Sequence, residues 1–174
     1  MGSFSHTVFD TGLGPVALAA TGDGVVRSSL PGSDPDELVE EVIARTGLDP
    51  VEGGELVDDA ADQIEDFLDG GRQDFDLEID WRLVNGFNRK VLQAVTKIPF
   101  GETRSYGEVA GIAGSPGAAR AVGTAMSVNP IALIVPCHRV IKSDGSIGGY
   151  GGGKNGRRLK KRLLDLENPG AVPG

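Results

Sequence analysis

The single cysteine of this 174-residue chain, Cys137, has neighbours that favour reaction at its sulfur. His138 follows it directly, Arg139 adds positive charge, and Pro136 forces the chain to turn at the cysteine. A thiolate is the reactive form, and a thiol with the ordinary pKa of ~8.5 is only slightly ionised at neutral pH. A nearby histidine or helix terminus lowers that pKa. We therefore predict that Cys137 is a nucleophile; the alternative is a small buried hydrophobic residue.

Cooperation between Cys137 and His138 requires a particular backbone. Adjacent side chains of an extended strand point to opposite faces, so only a tight turn brings these two together. If His138 is a base, a third group must orient it. Glu167, on the last predicted helix, is our candidate. The alternative is that His138 makes only a structural hydrogen bond.

The elements around the cysteine are predicted to be mostly helical. A helix over about 88–97 is followed by a Ser-x-x-Glu capping box at Ser105, which starts a helix to about Ala113. Ser115 as N-cap and Pro116 as first helical residue predict a second helix to about Val128. Such a pair is a helix-turn-helix, a motif that often, but not always, contacts DNA.

The cysteine itself is predicted to follow a buried strand at 131–135, which Pro136 ends. A glycine-rich loop over 142–153 leads to a closing helix at about 157–167. Leucines form the apolar face of that helix, and we assign Lys160 to its polar face. Residues 171–174 are expected to be a frayed tail.

The N-terminal part is predicted to be a support domain without catalytic residues. Strands alternate with turns over 4–9, 16–20 and 25–30, two helices are predicted at 34–46 and 58–68, and 74–79 alternates like a half-buried strand. The fold class is therefore α+β or α/β. A small domain over 1–80, with an antiparallel sheet and helices, precedes a mostly helical domain over 81–170.

Charge divides the chain at the same point. Residues 1–80 hold 20 acidic and 3 basic residues, whereas 81–174 hold 5 acidic and 14 basic, within a net charge of −8. An acidic module joined to a basic one is compatible with phosphate binding by the second half, although a charged run is more often a solvated face. The acidic half also suggests a halophilic habitat.

Composition limits the remaining functional classes. One cysteine forms no intrachain disulfide, and with two histidines it supplies too few soft ligands for structural zinc. We expect no metal and no cofactor. The apolar runs are too short to span a bilayer and the N-terminus lacks secretory-signal features, so we expect a cytoplasmic protein without membrane contact.

Several ordered motifs resemble the O6-alkylguanine-DNA alkyltransferase family, over about 86–168. Pro136-Cys137-His138-Arg139-Val140-Ile141 is similar to its active-site motif, and Asn129-Pro130 precedes it at the family's spacing. The other matching motifs are Phe100–Tyr106, Arg120–Gly123, Gly149–Gly152 and Leu163–Glu167. Several motifs in order are more specific than any one of them.

The resemblance implies direct repair of DNA, with one alkyl group transferred from O6-alkylguanine to the sulfur per molecule. Cys137 would be the acceptor, His138 would take its proton through a water, Glu167 would hold that histidine, and Asn129 would brace the turn. The base pocket would be lined by Tyr106, Val140, Tyr150, Gly151 and Ala132. The partner would be double-stranded DNA bound by a monomer, and O4-alkylthymine is a further candidate substrate.

The resemblance also implies how DNA is held. Arg120 would enter from the minor groove and fill the gap left by a flipped base, while Tyr106, Ser115, Ser143 and Asn88 would contact the DNA. The sequence departs from many relatives at Ala132, where proline is common, and at Gly151, where some have serine. Residues 153–158 also look longer than in relatives, which leaves the register of Glu167 open.

Three other functions are compatible with parts of this pattern. An alkyltransferase-like protein would bind damage without transfer, but such proteins lack the cysteine. A helix-turn-helix regulator would bind a specific sequence, and a cysteine hydrolase would have to use the distant His6. Binding without transfer, sequence-specific binding and ester turnover distinguish the three.

Overall fold

The computed structural model describes residues 2–150 and 153–174, in two compact units. The first unit runs to Leu83 and includes Pro130–Ile134; the second comprises Val84–Asn129 and Val135–Gly174. The sequence places the division at 80/81 and does not anticipate that 130–134 joins the first unit. Backbone hydrogen bonds explain this: Ser28 donates to the carbonyl of Pro130 and accepts from Ala132. None of the helices within the described residues is long and apolar enough to cross a membrane.

The first unit is built on a four-stranded mixed sheet. Its strands are β1 (Ser3–Thr11), β2 (Gly14–Thr21), β3 (Gly24–Ser28) and β4 (Asp49–Glu52), in the order β3-β2-β1-β4. The pairs β1–β2 and β2–β3 are antiparallel, as predicted, whereas β1–β4 is parallel. The sequence gives no sign of β4, because this strand is short, exposed throughout and contains Asp, Pro and Glu.

Two helices complete this unit. Helix α1 (Pro35–Thr46) begins where the sequence predicts, with the Asp34 carboxylate accepting from the Asp36 amide, and ends at Gly47 with φ 71°. Helix α2 (Glu55–Leu68) begins three residues before the predicted start. The hydrophobic core between sheet and α1 consists of Phe4, Ala17, Ala19, Val26, Leu38 and Val42.

The prediction of a strand over 74–79 is wrong. The segment is irregular apart from one bridge between Ile79 and Val25. The Gln63 side chain pairs with both backbone groups of Asp76, accepting at 2.8 Å and donating at 3.1 Å. A side chain of α2 thus supplies the hydrogen bonds that a neighbouring strand would have provided.

The second unit is mostly helical. It contains α3 (Gly86–Val95), α4 (Tyr106–Ile112), α5 (Ala119–Ser127) and α6 (Gly153–Glu167), with β5 (Arg104–Ser105) and β6 (Val140–Ile141) paired in parallel. The predicted capping box is present: Ser105 Oγ accepts from the Glu108 amide, and the Glu108 carboxylate accepts from the Ser105 amide. Helix α5 packs against both α3 and α4.

The predicted helix start at Ser115-Pro116 is wrong by about one turn. Ser115–Ala118 form a turn in which the Ala118 amide donates to the Ser115 carbonyl at 3.1 Å and Gly117 has φ 88°. Proline followed by a glycine of positive φ is the pattern of a type II turn. The turn uses the residues that we assigned to the cap, so α5 begins at Ala119 without a side-chain cap.

The prediction of a strand over 131–135 is also wrong, although the residues are buried as expected. Leu133 has φ 70°, and the Ile134 amide donates to the Ala132 carbonyl at 2.8 Å. This is a γ-turn, which interrupts the extended backbone. The C-terminal tail is packed and not frayed: Val172 is buried with Ile141, Ile147 and Leu164.

Candidate active site

Cys137 lies at a tight turn in the second unit. A tight turn is the backbone geometry that cooperation between Cys137 and His138 requires. Pro136 has φ −81° and ψ 61°, and the Cys137 amide donates to the Val135 carbonyl at 2.8 Å. This is an inverse γ-turn. Cys137–Arg139 then form one turn of 3-10 helix, and Val140 begins β6. All three residues of the turn are buried.

Asn129 contacts the sulfur directly. Its Nδ2 donates to Cys137 Sγ at 3.3 Å and to the Val135 carbonyl at 3.3 Å. One amide group therefore holds the γ-turn and supplies a donor to the sulfur. A donor stabilises a thiolate more than a thiol, so Asn129 favours ionisation.

Burial raises the pKa of the Cys137 thiol, contrary to our expectation of a lowered value. The opposing influences, from Asn129, the positive charge of Lys160 and the Tyr150 hydroxyl, do not outweigh the desolvation. At neutral pH the resting sulfur is therefore a protonated thiol. A base has to remove its proton before or during reaction.

His138 is suited to be that base. Its side chain is fully buried and its Nε2 lies 2.7 Å from Glu167 Oε2. Burial lowers the pKa of His138, against the raising effect of Glu167, so the imidazole is neutral at neutral pH. With the Nε2 proton directed to the carboxylate, Nδ1 carries the basic lone pair. Glu167 therefore lies at a position on α6 from which its carboxylate contacts His138.

Arg139 completes a buried cluster whose importance sequence reasoning missed. Its Nε donates to Glu167 Oε1 at 2.8 Å, its Nη2 to Oε2 at 2.9 Å, and its Nη1 to the Ile98 carbonyl at 2.6 Å. Gly101 adds a backbone donor to Glu167 Oε1 at 3.1 Å. Burial by itself raises the pKa of Glu167, but the hydrogen bonds from His138 and Arg139 hold it at about 2. The carboxylate is thus a fixed anion.

A spacing signal could have shown part of this cluster. Arg139 lies two residues beyond the nucleophile, where a 3-10 turn directs its side chain to the same helix as that of His138. On α6, Leu163, Leu164 and Glu167 lie three, four and seven residues after Lys160. Residues at this spacing share one face of a helix. Leu163, Leu164 and Lys160 are buried. Our assignment of Lys160 to the polar face of the helix was therefore wrong.

The residues expected to line a pocket lie on separate elements. Val140 is fully buried, and the buried Tyr150 ring meets His138 edge-on with 6.5 Å between centroids. Tyr106 begins α4; an added Cβ at Gly148 (φ 74°) would lie 3.2 Å from its hydroxyl, so the loop passes close to this ring. Burial and then the charge of Cys137 raise the pKa of both tyrosines, so their hydroxyls remain donors.

Two predicted pocket residues are not placed with this group. Gly151 lies outside the described residues. Ala132 belongs to the segment that clusters with the first unit, where its amide pairs with Ser28. Their proposed contacts with a base remain predictions.

The predicted DNA-binding residues are all at least partly accessible. Arg120 is exposed on the first turn of α5 and makes no ion pair within the described residues. Ser115 begins the turn before α5, Ser143 is exposed beyond β6, and Asn88 is half-buried in the first turn of α3.

Comparison with known proteins gives consistent matches. Residues 86–169 match the 6-O-methylguanine DNA methyltransferase DNA-binding domain. The methylated-DNA–protein-cysteine methyltransferase of Mycobacterium tuberculosis is 43% identical over 164 residues, 93% of this chain and 91% of that protein. The protein of the same name from Methanosarcina acetivorans is 36% identical over 163 residues, 93% and 97% of the two chains. A crystal structure of M. tuberculosis OGT in complex with DNA has a TM-score of 0.77 at 38% identity, and the match covers 98% of this chain and 96% of that chain. The similarity thus spans both units.

Proposed function

The chain belongs to the methylated-DNA–protein-cysteine methyltransferase family, and on this premise we propose that it repairs O6-alkylguanine in DNA by moving the alkyl group to Cys137. The observation that carries the proposal is the pair of contacts on consecutive residues of one turn. Asn129 donates to the Cys137 sulfur at 3.3 Å, and His138 meets Glu167 at 2.7 Å. This pairing gives a nucleophile, a base and the group that orients the base.

The proposed reaction exchanges a proton for an alkyl group at sulfur. His138 takes the thiol proton through a bridging water, and the thiolate attacks the alkyl carbon. The S–C bond forms as the C–O6 bond breaks, and guanine leaves with the bonding electrons. The guanine takes up a proton from water, and His138 releases the thiol proton to solvent. Donation from Tyr106 to the base edge stabilises the leaving purine.

The buried Arg139 gives Glu167 a specific part in this reaction. An imidazolium forming at His138 would be costly in a buried site unless an anion faced it. Arg139 keeps Glu167 ionised and fixed, so the carboxylate orients Nε2–H and stabilises the cation as it forms. His138 can thus be neutral at rest and still act as a base.

The product is expected to be final. A thioether is not hydrolysed under physiological conditions, and the chain has no second cysteine to accept the group. Each molecule would therefore react once. A monomer suffices for this stoichiometry, and the cytoplasm is the compartment we propose. O4-alkylthymine is a second candidate substrate of the same attack.

We propose that DNA is approached through the minor groove. A sulfur buried in the protein reaches O6 only if the base leaves the stack, at a cost of a few kcal/mol. The exposed Arg120 on α5 would fill the vacated space, and Ala121 and Gly123 are small enough for close approach of the helix. Ser115, Ser143 and Asn88 would hold the backbone. The pocket for the extruded base would be formed by Val140, Tyr150, Gly151, Ala132 and Tyr106.

Intact-mass spectrometry tests the transfer. The protein is incubated with excess duplex containing O6-methylguanine, beside Cys137→Ala. We expect the mass of one added CH2 group, located on the Cys137 peptide, and no second event. Tight binding with no mass change would instead indicate a damage-binding protein that performs no transfer.

A further inference from the structure

Lys160 is a buried cation that the proposed mechanism leaves unused. It is 1% exposed, and no other lysine whose burial the structure describes is buried. Its Nζ donates to the Val140 carbonyl at 2.6 Å and to the Gly149 carbonyl at 3.2 Å. The same Nζ lies 5.9 Å from the centre of the Tyr106 ring. Burying an ammonium group is costly, so a structural reason alone is a weak explanation.

These contacts join elements that carry the proposed pocket. Val140 follows the Cys137 turn, Gly149 precedes Tyr150, and Tyr106 begins α4. The loop between the two bonded carbonyls closes on itself, since the Lys142 amide donates to the Ser146 carbonyl at 3.0 Å. One ammonium group on α6 thus fixes both ends of this loop.

Helix α6 therefore holds the nucleophile's turn at two points. Glu167 binds His138 and Arg139, and Lys160, seven residues earlier on the same face, binds Val140. The first point carries a negative charge and the second a positive one. The positive charge of Lys160 favours the ionised form of the Cys137 sulfur.

We propose that Lys160 is a positioning residue that fixes the Val140–Gly149 loop and whose positive charge stabilises the thiolate as it forms at Cys137. The inference deepens the proposed transfer, on which it rests. The ground state holds a neutral thiol, so the attraction acts only as negative charge develops on sulfur. An interaction that appears in the transition state alone accelerates reaction.

The charge states are compatible with this role. Burial lowers the pKa of Lys160 to about 8, while the charge of Cys137 raises it. Lys160 is therefore mostly an ammonium at neutral pH. The other groups facing the sulfur are Asn129, Tyr106 and Tyr150, and His138 adjoins it. Of these, Lys160 supplies the positive charge.

Neutral substitutions separate charge from hydrogen bonding. Lys160→Gln retains donors for the two carbonyls without charge, Lys160→Met removes both, and Lys160→Arg retains charge. Lys161→Met is the matched control, since Lys161 lies next along α6 and pairs with Asp165 away from the sulfur. Circular dichroism verifies folding of each variant.

The first readout is alkylation of Cys137 by iodoacetamide against pH, without DNA. This readout does not depend on the proposed substrate. We expect Lys160→Gln and Lys160→Met to shift the profile to higher pH and to slow alkylation at neutral pH about tenfold, the effect of one unit in thiol pKa. Lys160→Arg and Lys161→Met should retain the wild-type profile. A profile of unchanged position in the neutral variants, slowed or not, would overturn the proposal.

A second measurement uses only the wild-type sequence. Electrostatic coupling is reciprocal, so a thiolate that Lys160 stabilises must in turn hold the Lys160 proton. In 15N NMR titrations, Lys160 should keep its proton to higher pH when Cys137 carries a fixed negative charge, as the sulfinate formed with excess peroxide, than when Cys137 has been S-methylated by a small-molecule reagent. An identical titration in both forms would contradict the coupling, even if every neutral variant failed to fold. Failure of methyl transfer from DNA with an intact coupling would reject the proposed function instead.

Discussion

The Glu167 carboxylate receives His138 on one oxygen at 2.7 Å and two nitrogens of Arg139 at 2.8 and 2.9 Å, so one anion serves both residues that follow the nucleophile. Its side chain is 1% exposed. Removing one member of such a buried pair leaves a charge without a partner, which commonly costs about 3–5 kcal/mol. Catalysis and stability are therefore coupled at this residue.

Glu167→Gln should slow transfer and weaken the fold. The amide no longer stabilises an imidazolium, so we expect single-turnover transfer to fall about 100-fold, within the range for general base catalysis. Urea denaturation at neutral pH should show a loss of about 3 kcal/mol, because Arg139 keeps a buried charge. Asp165→Asn, on the partly exposed i,i+4 pair of the same helix, is the control and should change both values little. An unaffected transfer rate would argue against an orienting role for Glu167.

Lowering the pH should remove the contribution of the Glu167 carboxylate to the free energy of unfolding. The pKa of Glu167 is about 2 in the folded protein against 4.5 ordinarily, so the unfolded state binds the proton more readily. The stability that Glu167 contributes is complete above about pH 4.5 and is lost as pH falls toward 2. Urea midpoints measured across this window should fall more steeply for the wild type than for Glu167→Gln. Parallel curves would show that Glu167 is not held ionised.

The rate of transfer should persist at pH values below the ordinary histidine pKa of 6.5. His138 acts as a base only when neutral, and burial lowers its pKa from 6.5. We therefore expect the single-turnover rate to remain level as pH falls through 6.5 and to decline only at lower pH. Half-loss of the rate at or above 6.5, in buffers of constant ionic strength, would mean that another group is the base.

Asn129→Ala should reduce thiol reactivity without unfolding the protein. It removes the donor to the Cys137 sulfur, and a hydrogen bond to a charged group contributes about 1.5–3 kcal/mol, so transfer should slow roughly 10- to 100-fold. The pH profile for iodoacetamide should move upward. Asn168→Ala, which removes an exposed amide bonded to the Gly101 carbonyl, is the control. Equal effects of the two variants would deny Asn129 a specific role at sulfur.

Substitutions at two glycines test the turn before α5 and the proposed approach of α5 to DNA. Gly117 has φ 88° in the turn before α5, so Gly117→Ala should cost about 1 kcal/mol or more of stability. Gly123 lies within α5 with open space at its Cβ position, and Gly123→Ala should stabilise by about 0.5–1 kcal/mol. If α5 approaches the minor groove closely, the same Gly123→Ala should weaken duplex binding. Unchanged binding, by fluorescence anisotropy, would move the contact away from Gly123.

Local chemistry by itself determines a large part of this protein. The tight turn at Cys137 and His138, the capping box at Ser105 and the Asp34-Pro35 helix start depend on neighbours in sequence, and these local features were correctly predicted. The family motifs also predicted the function, which the comparison with relatives confirms. Short-range sterics and hydrogen bonds between adjacent residues set these caps and turns.

Tertiary structure decided what depends on residues far apart in the chain. The segment 74–79 is not a strand, because the Gln63 side chain takes its backbone hydrogen bonds. Strand β4 forms because β1 lies beside it. The pKa of the Cys137 thiol is raised because the effect of burial outweighs those of Asn129 and Lys160. Arg139 and Lys160 look like surface cations in the sequence, yet both are buried where α6 meets the Cys137 turn. Desolvation and long-range pairing depend on which segments pack together, and that information is absent from any local window of sequence.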